Sequence, residues 1–576
     1  MKALILLSSV LLFPLVMVAQ QTTDEKFDTL SSEFLRGYFQ VHNVEGTRIG
    51  MHDFDSLLDD MSLTAIQLEV NRLHLFREKL TDLEPKELSK QKNIDYRILL
   101  DAIDEMLFDY QELREYEWNP LVYTEIIGNS IADLLYQNFG PLDVRLENAA
   151  LRAQQVPRLL ETAKANLKDA PKIHIETAIQ QNKGNIDLFS VELLRAGNDR
   201  SPVLRDSLAS ASRVAVAALT DFGVWLEKDL LPKASRDPRL GKELFDKKLR
   251  FTIHTQLTPQ QILERAESEK IRVQGDMYRL ALPLFRQYFP DNPDVSDHLS
   301  VTRKVLDRIA LDHPQRQFMI DTIRRIIPEL EQFVTDHDLI TLDPTKPLII
   351  RETPEYERGV AVAMCESPGP LEKNLASFYD VTPIPSEWTA DQAESFLREY
   401  NSWALRDLSI HEGVPGHYVQ LYYSNRFPSI IRNVFSSDPM VEGWAVYAER
   451  MVTDAGYMNS DPRMKLINLK WYLRTVLNAI IDQKIHAYGM TQSELMDILT
   501  REGFQEEREA DGKWRRAMLT SAQLSTYFVG FQEIWDLREA YKSFMGNNFT
   551  LKRFNETLLS YGSPAVKYLR EILLSR

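Results

Sequence analysis

The chain has 576 residues, with 68 Lys and Arg against 84 Asp and Glu, and its formal net charge of −16 is spread along the length and not gathered in a tail. Such a field repels nucleic acid and anionic membrane, so neither is expected as a partner. A chain this long buries a large core without covalent staples, and its one cysteine, Cys365, excludes an internal disulfide and reads as a packed free thiol.

Residues 1–19 read as a secretory signal peptide: Lys2 precedes an apolar run that ends at Val18, and the small residue Ala19 marks the expected cleavage point. The run is short for a membrane span, no cysteine near its exit offers a lipid attachment point, and no later stretch is long and apolar enough to cross a bilayer. The mature protein is therefore expected in the periplasm or outside the cell, without a membrane anchor.

Helical periodicity dominates the rest of the chain, with apolar residues at three- and four-residue steps over 57–76, 94–108, 203–230 and 259–282. Pro, Asn and Asp mark the breaks, as at Asn119-Pro120, Thr258-Pro259 and Asp461-Pro462, several with the chemistry of helix starts. The fold class is mainly α. A Pro- and Gly-containing turn at 237–242 divides an N-terminal helical region, 22–240, from a second region, 241–576. Within the latter, residues 338–385 change character: Leu-Ile-Thr-Leu at 339–342, Pro-Leu-Ile-Ile-Arg at 347–351 and Gly-Val-Ala-Val-Ala-Met-Cys at 359–365 predict short strands of a small sheet. An edge strand there offers a place for an extended peptide to pair.

Immediately afterwards, residues 404–423 are helical on both sides of an embedded Gly413-Val-Pro-Gly416. His411-Glu412 followed by His417 resembles H-E-x-x-H, in which two histidines one turn apart bind zinc and the glutamate takes a proton from water. The spacing here is six, and six residues turn a regular helix by about 600°, which sets the two rings on nearly opposite faces. Pro415, Gly413 and Gly416 permit a bulge or kink that returns His417 to the face of His411. A catalytic zinc takes three protein ligands. Downstream, Glu442 and Glu449 lie seven apart on an expected helix and so share a face; one would ligate and the other would orient a histidine. Such a donor set suits zinc and also accepts cobalt or manganese.

These residues carry a family resemblance. His-Glu-Gly-Val-Pro-Gly-His-Tyr-Val-Gln at 411–420, Glu-Gly-Trp-Ala-Val-Tyr-Ala-Glu at 442–449, Asp482-Gln-Lys-Ile-His486 and Gln523-Leu-Ser-Thr-Tyr527-Phe-Val-Gly530 resemble the bacterial family catalogued as domain of unknown function 885. One departure is Ser521, where the family usually has proline. The resemblance implies a gluzincin-like zinc metallopeptidase: a multi-helical fold with a central cleft, one Zn2+ per chain, His411, His417 and Glu442 as ligands, and Glu412 as general base. It further implies Tyr527 and His486 as donors to the oxyanion. Arg515 and Arg516 are candidates for holding a substrate carboxylate. The expected activity is hydrolysis of short peptides; the alternatives are a zinc- and peptide-binding protein without turnover, and a zinc hydrolase acting on another amide bond.

Overall fold

The computed structural model describes residues 22–292, 294–353, 362–372 and 375–575. The expected signal peptide, 1–19, lies outside them. As the periodicity predicts, the fold is mainly α-helical with one small sheet.

Helix starts follow local chemistry. Thr22 and Glu25 form a capping box at the head of helix Thr23–Val41, and Thr258 and Gln261 do the same for Pro259–Tyr288, whose first residue is proline. The periodic segment 94–108 lies within helix Lys90–Phe108, and 203–230 forms helix Pro202–Trp225 continued by a π turn, Leu226–Leu230. The segment 57–76 is displaced: its helix is Leu63–Thr81, because the Ser62 side chain accepts from Ala65 N and fixes the start there, while Leu58 is buried in a different core.

The apolar residues form two main cores. One is built from 121–230 with Val44 and Leu58, and the other joins residues from Phe27 to Leu107 with residues from Phe245 to Leu573. The helices before residue 108 therefore share a core with the motif-bearing helices, and the segment from 234 to 241 connects the helical stretches on either side as an irregular turn.

Among the described residues the sheet has three strands, β1 (Leu348–Glu352), β2 (Ala363–Glu366) and β3 (Ser377–Val381), in the order β1-β3-β2. β1 runs parallel and β2 antiparallel to β3, with Cys365 opposite Tyr379. The strand expected at 339–342 does not form. Leu339 and Ile340 follow the end of helix Met319–Asp336 and are buried in the core, and Asn555 Nδ2 donates to Leu339 O at 2.8 Å, so these residues serve packing and not a ladder. Of the expected strand 359–365, residues 359–361 lie outside the described residues; the observed strand begins at Ala363.

Three helices frame the motif. Asp438–Asp454 and Thr526–Met545 cross in backbone contact at Gly443 and Gly530: a Cβ on Gly530 would run into Pro439 O, and one on Gly443 would run into the Gly530 backbone. Only glycine lets two helices approach this closely. The third helix, Pro462–Tyr488, is buried along most of its 27 residues and supports both.

Candidate metal centre

The motif is not one kinked helix but two. Helix Ser402–Glu412, capped by the Asn401 side chain, ends at Gly413, and a new helix, His417–Ser424, begins at the second histidine. The connecting four residues fold back on the first helix: Gly413 N and Val414 N donate to Ser409 O, and Gly416 N donates to Ile410 O at 2.9 Å. A side chain at 416 would collide with the carbonyls of Ile410 and His411, which explains the glycine. Trp444 Nε1 donates to Pro415 O at 2.9 Å and ties the loop to helix Asp438–Asp454. The fold-back brings the two imidazoles together, with ring centroids 4.8 Å apart at 86°.

Glu442 faces both rings, its Oε2 lying 3.6 Å from His411 Nε2 and 3.4 Å from His417 Nε2. Donor atoms of His411, His417 and Glu442 all lie within 4.8 Å of one another. Ligands about 2.0–2.1 Å from a tetrahedral zinc stand roughly 3.3–3.4 Å apart, so these separations fit such an ion. Among the described residues, buried Glu442 Oε2 has no donor in hydrogen-bond geometry, an orphaned acceptor of the kind a cation satisfies. Burial pushes the Glu442 carboxyl up, but the two imidazoles outweigh that and hold it well below the usual carboxylate range. Two nitrogens and one carboxylate oxygen suit zinc.

Glu449, one face and two turns further along, meets the opposite nitrogen of the same ring: His411 Nδ1 lies 2.5 Å from Glu449 Oε1. Burial disfavours the imidazolium of His411, yet the carboxylates of Glu442 and Glu449 on either side of the ring raise its pKa well above the ordinary value. The sequence left both glutamates open as ligands; the geometry groups Glu442 with the histidines and gives Glu449 the orienting position. Behind Glu449 lies buried Asp407, whose Oδ1 accepts from Asn468 Nδ2 at 3.1 Å. Burial and the charge of Glu449 push the Asp407 carboxyl well above its usual range. Asp407 stands one helical turn before His411, a spacing that could have marked it in the sequence.

Glu412 points toward the sheet, where Cys365 N donates to its Oε2 at 3.0 Å. Burial raises its carboxyl above the ordinary value, opposed by the nearby His411 and His417. Because Thr382 N donates to Val362 O, the antiparallel alternation directs the Cys365 N–H away from β3 and toward the opposite edge of β2. No side-chain pattern could reveal this backbone donor. The thiol itself is pushed up by burial, as expected of an inert packed cysteine.

Tyr527 opens helix Thr526–Met545 one turn before the Gly443/Gly530 crossing, and the charge of Glu442 reaches it; burial first, and then that charge, raise its pKa. Arg516 Nη2 donates to the Tyr527 hydroxyl oxygen at 3.0 Å and Gln523 Nε2 at 3.3 Å, which leaves the hydroxyl proton available to donate elsewhere. Arg516 thus joins the site. Arg515, exposed like Arg516, does not: it turns to Thr177 and donates to its Oγ1 at 2.7 Å.

His486 is buried, stacks on Phe245 at 5.4 Å and directs Nε2 to the carbonyls of Ala517 and Thr520 at 2.8 and 2.9 Å. One turn earlier on the same helix, Asp482 accepts from Ala522 N, Ser525 N and Ser525 Oγ. Together they fasten the segment that delivers Gln523 and Tyr527. The motif around Asp482 and His486 was visible in the sequence, but its holding role was not.

A family model described as a bacterial protein of unknown function (DUF885) matches residues 44–573. The chain belongs to this family. Among solved structures, the fold is similar to a candidate lipoprotein of unknown function from Shewanella oneidensis, at 36% identity and a TM-score of 0.83, covering 95% of this chain and 100% of that one. A structure of a candidate lipoprotein from Colwellia psychrerythraea has a TM-score of 0.78 at 16% identity, covering 96% and 98% of the two chains, and shares the fold. No functionally curated protein matches. The DUF885 membership agrees with the resemblance read from the 411–420, 442–449 and 523–530 motifs.

Proposed function

We propose that this DUF885 protein is an exported zinc-dependent peptidase, acting on short peptides in the periplasm or outside the cell, with a gluzincin-like site in a central cleft. The observation that carries the reading is the convergence of His411, His417 and Glu442 on one point, with Glu412 beside it and Glu449 on the far nitrogen of His411. The description of its relatives as candidate lipoproteins agrees with export to the cell envelope.

His411, His417 and Glu442 would hold the ion. Zinc so held supplies Lewis-acid polarisation of the scissile carbonyl and acidifies water. Glu412 takes the proton of the attacking water and returns it to the leaving amine. The Cys365 N–H steadies one oxygen of Glu412. Tyr527, its oxygen already accepting from Arg516 and Gln523, donates its proton to the carbonyl oxygen as negative charge gathers there. The edge of β2 beside Glu412, which pairs with no other strand among the described residues, gives an extended peptide a strand to pair with.

The test is turnover of a mixed library of short peptides by the zinc-loaded mature protein and by its Glu412→Gln variant. Hydrolysis by the parent, abolished in the variant while bound zinc is retained, supports the reading. Turnover that survives the substitution, or a zinc-loaded parent that cleaves nothing, overturns it.

A further inference from the structure

Beyond Arg516, helix Glu507–Leu519 carries a second cation toward the same region. Lys513 is only 3% exposed, yet among the described residues it makes no hydrogen bond or ion pair. Its charged neighbours are Arg474, Glu509, Arg516 and Glu399. The two carboxylates there are already engaged: Glu509 Oε1 lies 2.5 Å from Arg474 Nη2, and Glu399 Oε2 lies 2.9 Å from Lys470 Nζ. Beside Tyr400, the buried Arg474 Nη1 meets no acceptor in hydrogen-bond geometry among the described residues. Arg516 gives its hydrogen bonds to neutral oxygens, those of Gln523 and Tyr527.

Among the described residues, Lys513 and Arg516 are thus left without a carboxylate partner. Burying an unpaired ammonium is costly, and natural folds keep such groups mainly where they act. Burial, then the charges of Arg474 and Arg516, press the Lys513 pKa well below its ordinary value, as a site short of negative charge requires.

We infer that Lys513, Arg474 and Arg516 form a subsite for the terminal carboxylate of a peptide, a deepening that rests on the peptidase reading above. Lys513 and Arg516 are three residues apart on one helix, so their side chains start about 5–6 Å from each other on one face. Arg516 in turn touches the Tyr527 hydroxyl, the donor assigned to the scissile carbonyl. Extended peptide advances about 3.3 Å per residue, which puts the captured carboxylate about one to two residues beyond the cleaved bond. The substrate class is thus peptides with a free C-terminus, cut near that end, and the guanidinium groups of Arg474 and Arg516 supply the flat donor edges that a carboxylate accepts from.

Binding tests this separately from turnover. The zinc-loaded Glu412→Gln protein is titrated calorimetrically with trialanine and with trialanine amide, and the titration is repeated with Lys513→Met added. The inference expects the free acid to bind at least about tenfold tighter than the amide, a single lost ion pair of about 1.4 kcal/mol or more, and expects Lys513→Met to erase that preference without lowering thermal stability. Equal binding of acid and amide, a preference that survives Lys513→Met, or no binding of either at millimolar concentration overturns it. Should Lys513→Met fail to fold, the acid-to-amide ratio of the parent and of Lys513→Gln decides. Failure of the peptidase reading shows instead as absent hydrolysis by the zinc-loaded parent, whatever these titrations give.

Discussion

His411 Nδ1 and Glu449 Oε1 stand 2.5 Å apart, while the other nitrogen of the same ring faces Glu442. The imidazole is held between two carboxylates that lie seven residues apart on one helix, and each meets a different ring nitrogen. If Glu449 orients the ligand and Glu442 is one, Glu449→Gln weakens zinc binding by about 10- to 100-fold without abolishing it. Competition with a chelator of known affinity measures this; an affinity unchanged within twofold would remove Glu449 from the site.

The close crossing of helices Asp438–Asp454 and Thr526–Met545 predicts that Gly530→Ala is among the most damaging single-methyl changes available. The added carbon meets Pro439 O, and neither backbone can withdraw without moving Glu442 or Tyr527. A loss of about 3 kcal/mol or more in denaturant unfolding is expected, at the upper end of overpacking costs. A loss under about 1 kcal/mol would show that the helices separate easily.

Tyr527→Phe leaves the packed ring and removes the hydroxyl proton that the proposed mechanism gives to the carbonyl oxygen. Against a peptide that the parent cleaves, kcat is expected to fall by about 10²–10³-fold with KM little changed, as for loss of one oxyanion donor. A fall confined to KM would assign the hydroxyl to ground-state binding.

Much of this was legible in the residues. The 3.6-residue pattern located most helices, and the two-residue expansion of the histidine motif, with its Gly and Pro, signalled an altered backbone between His411 and His417. What the pattern could not give is how far the alteration goes: a second helix starts at His417 because Gly416 N bonds to Ile410 O, a contact set by chain reversal and not by periodicity. The strand reading failed at 339–342, where Leu339 and Ile340 are apolar for the sake of the core. Arg515 and Arg516 are neighbours in sequence but leave their helix about 100° apart, so one meets Tyr527 and the other Thr177. Lys513 carries no signal in the sequence, since a lysine in a polar helical stretch is ordinarily a surface residue.

Stability should depend on pH through Glu105. Burial, with the charges of Asp109 and Asp438 adding to it, pushes its carboxyl up to about 8 from an ordinary 4.5, opposed by Lys248. Between those values the folded protein keeps a proton that the unfolded chain has released, so this group's contribution to stability falls as pH rises from 4.5 to about 8 and then levels off. Glu105→Gln removes that decline. The melting temperature of the variant relative to the parent should therefore rise steadily across this range, measured by scanning calorimetry in matched buffers; a difference independent of pH would place the Glu105 carboxyl in the ordinary range.

The most direct measurement is elemental analysis of the purified mature protein beside its His411→Ala and Glu442→Ala variants, after reconstitution with zinc and removal of loose ions. About one zinc per chain in the parent, and loss in both folded variants, is the predicted result. A parent that holds no metal, or variants that both keep a full equivalent, would contradict the assignment of His411, His417 and Glu442 as a metal centre.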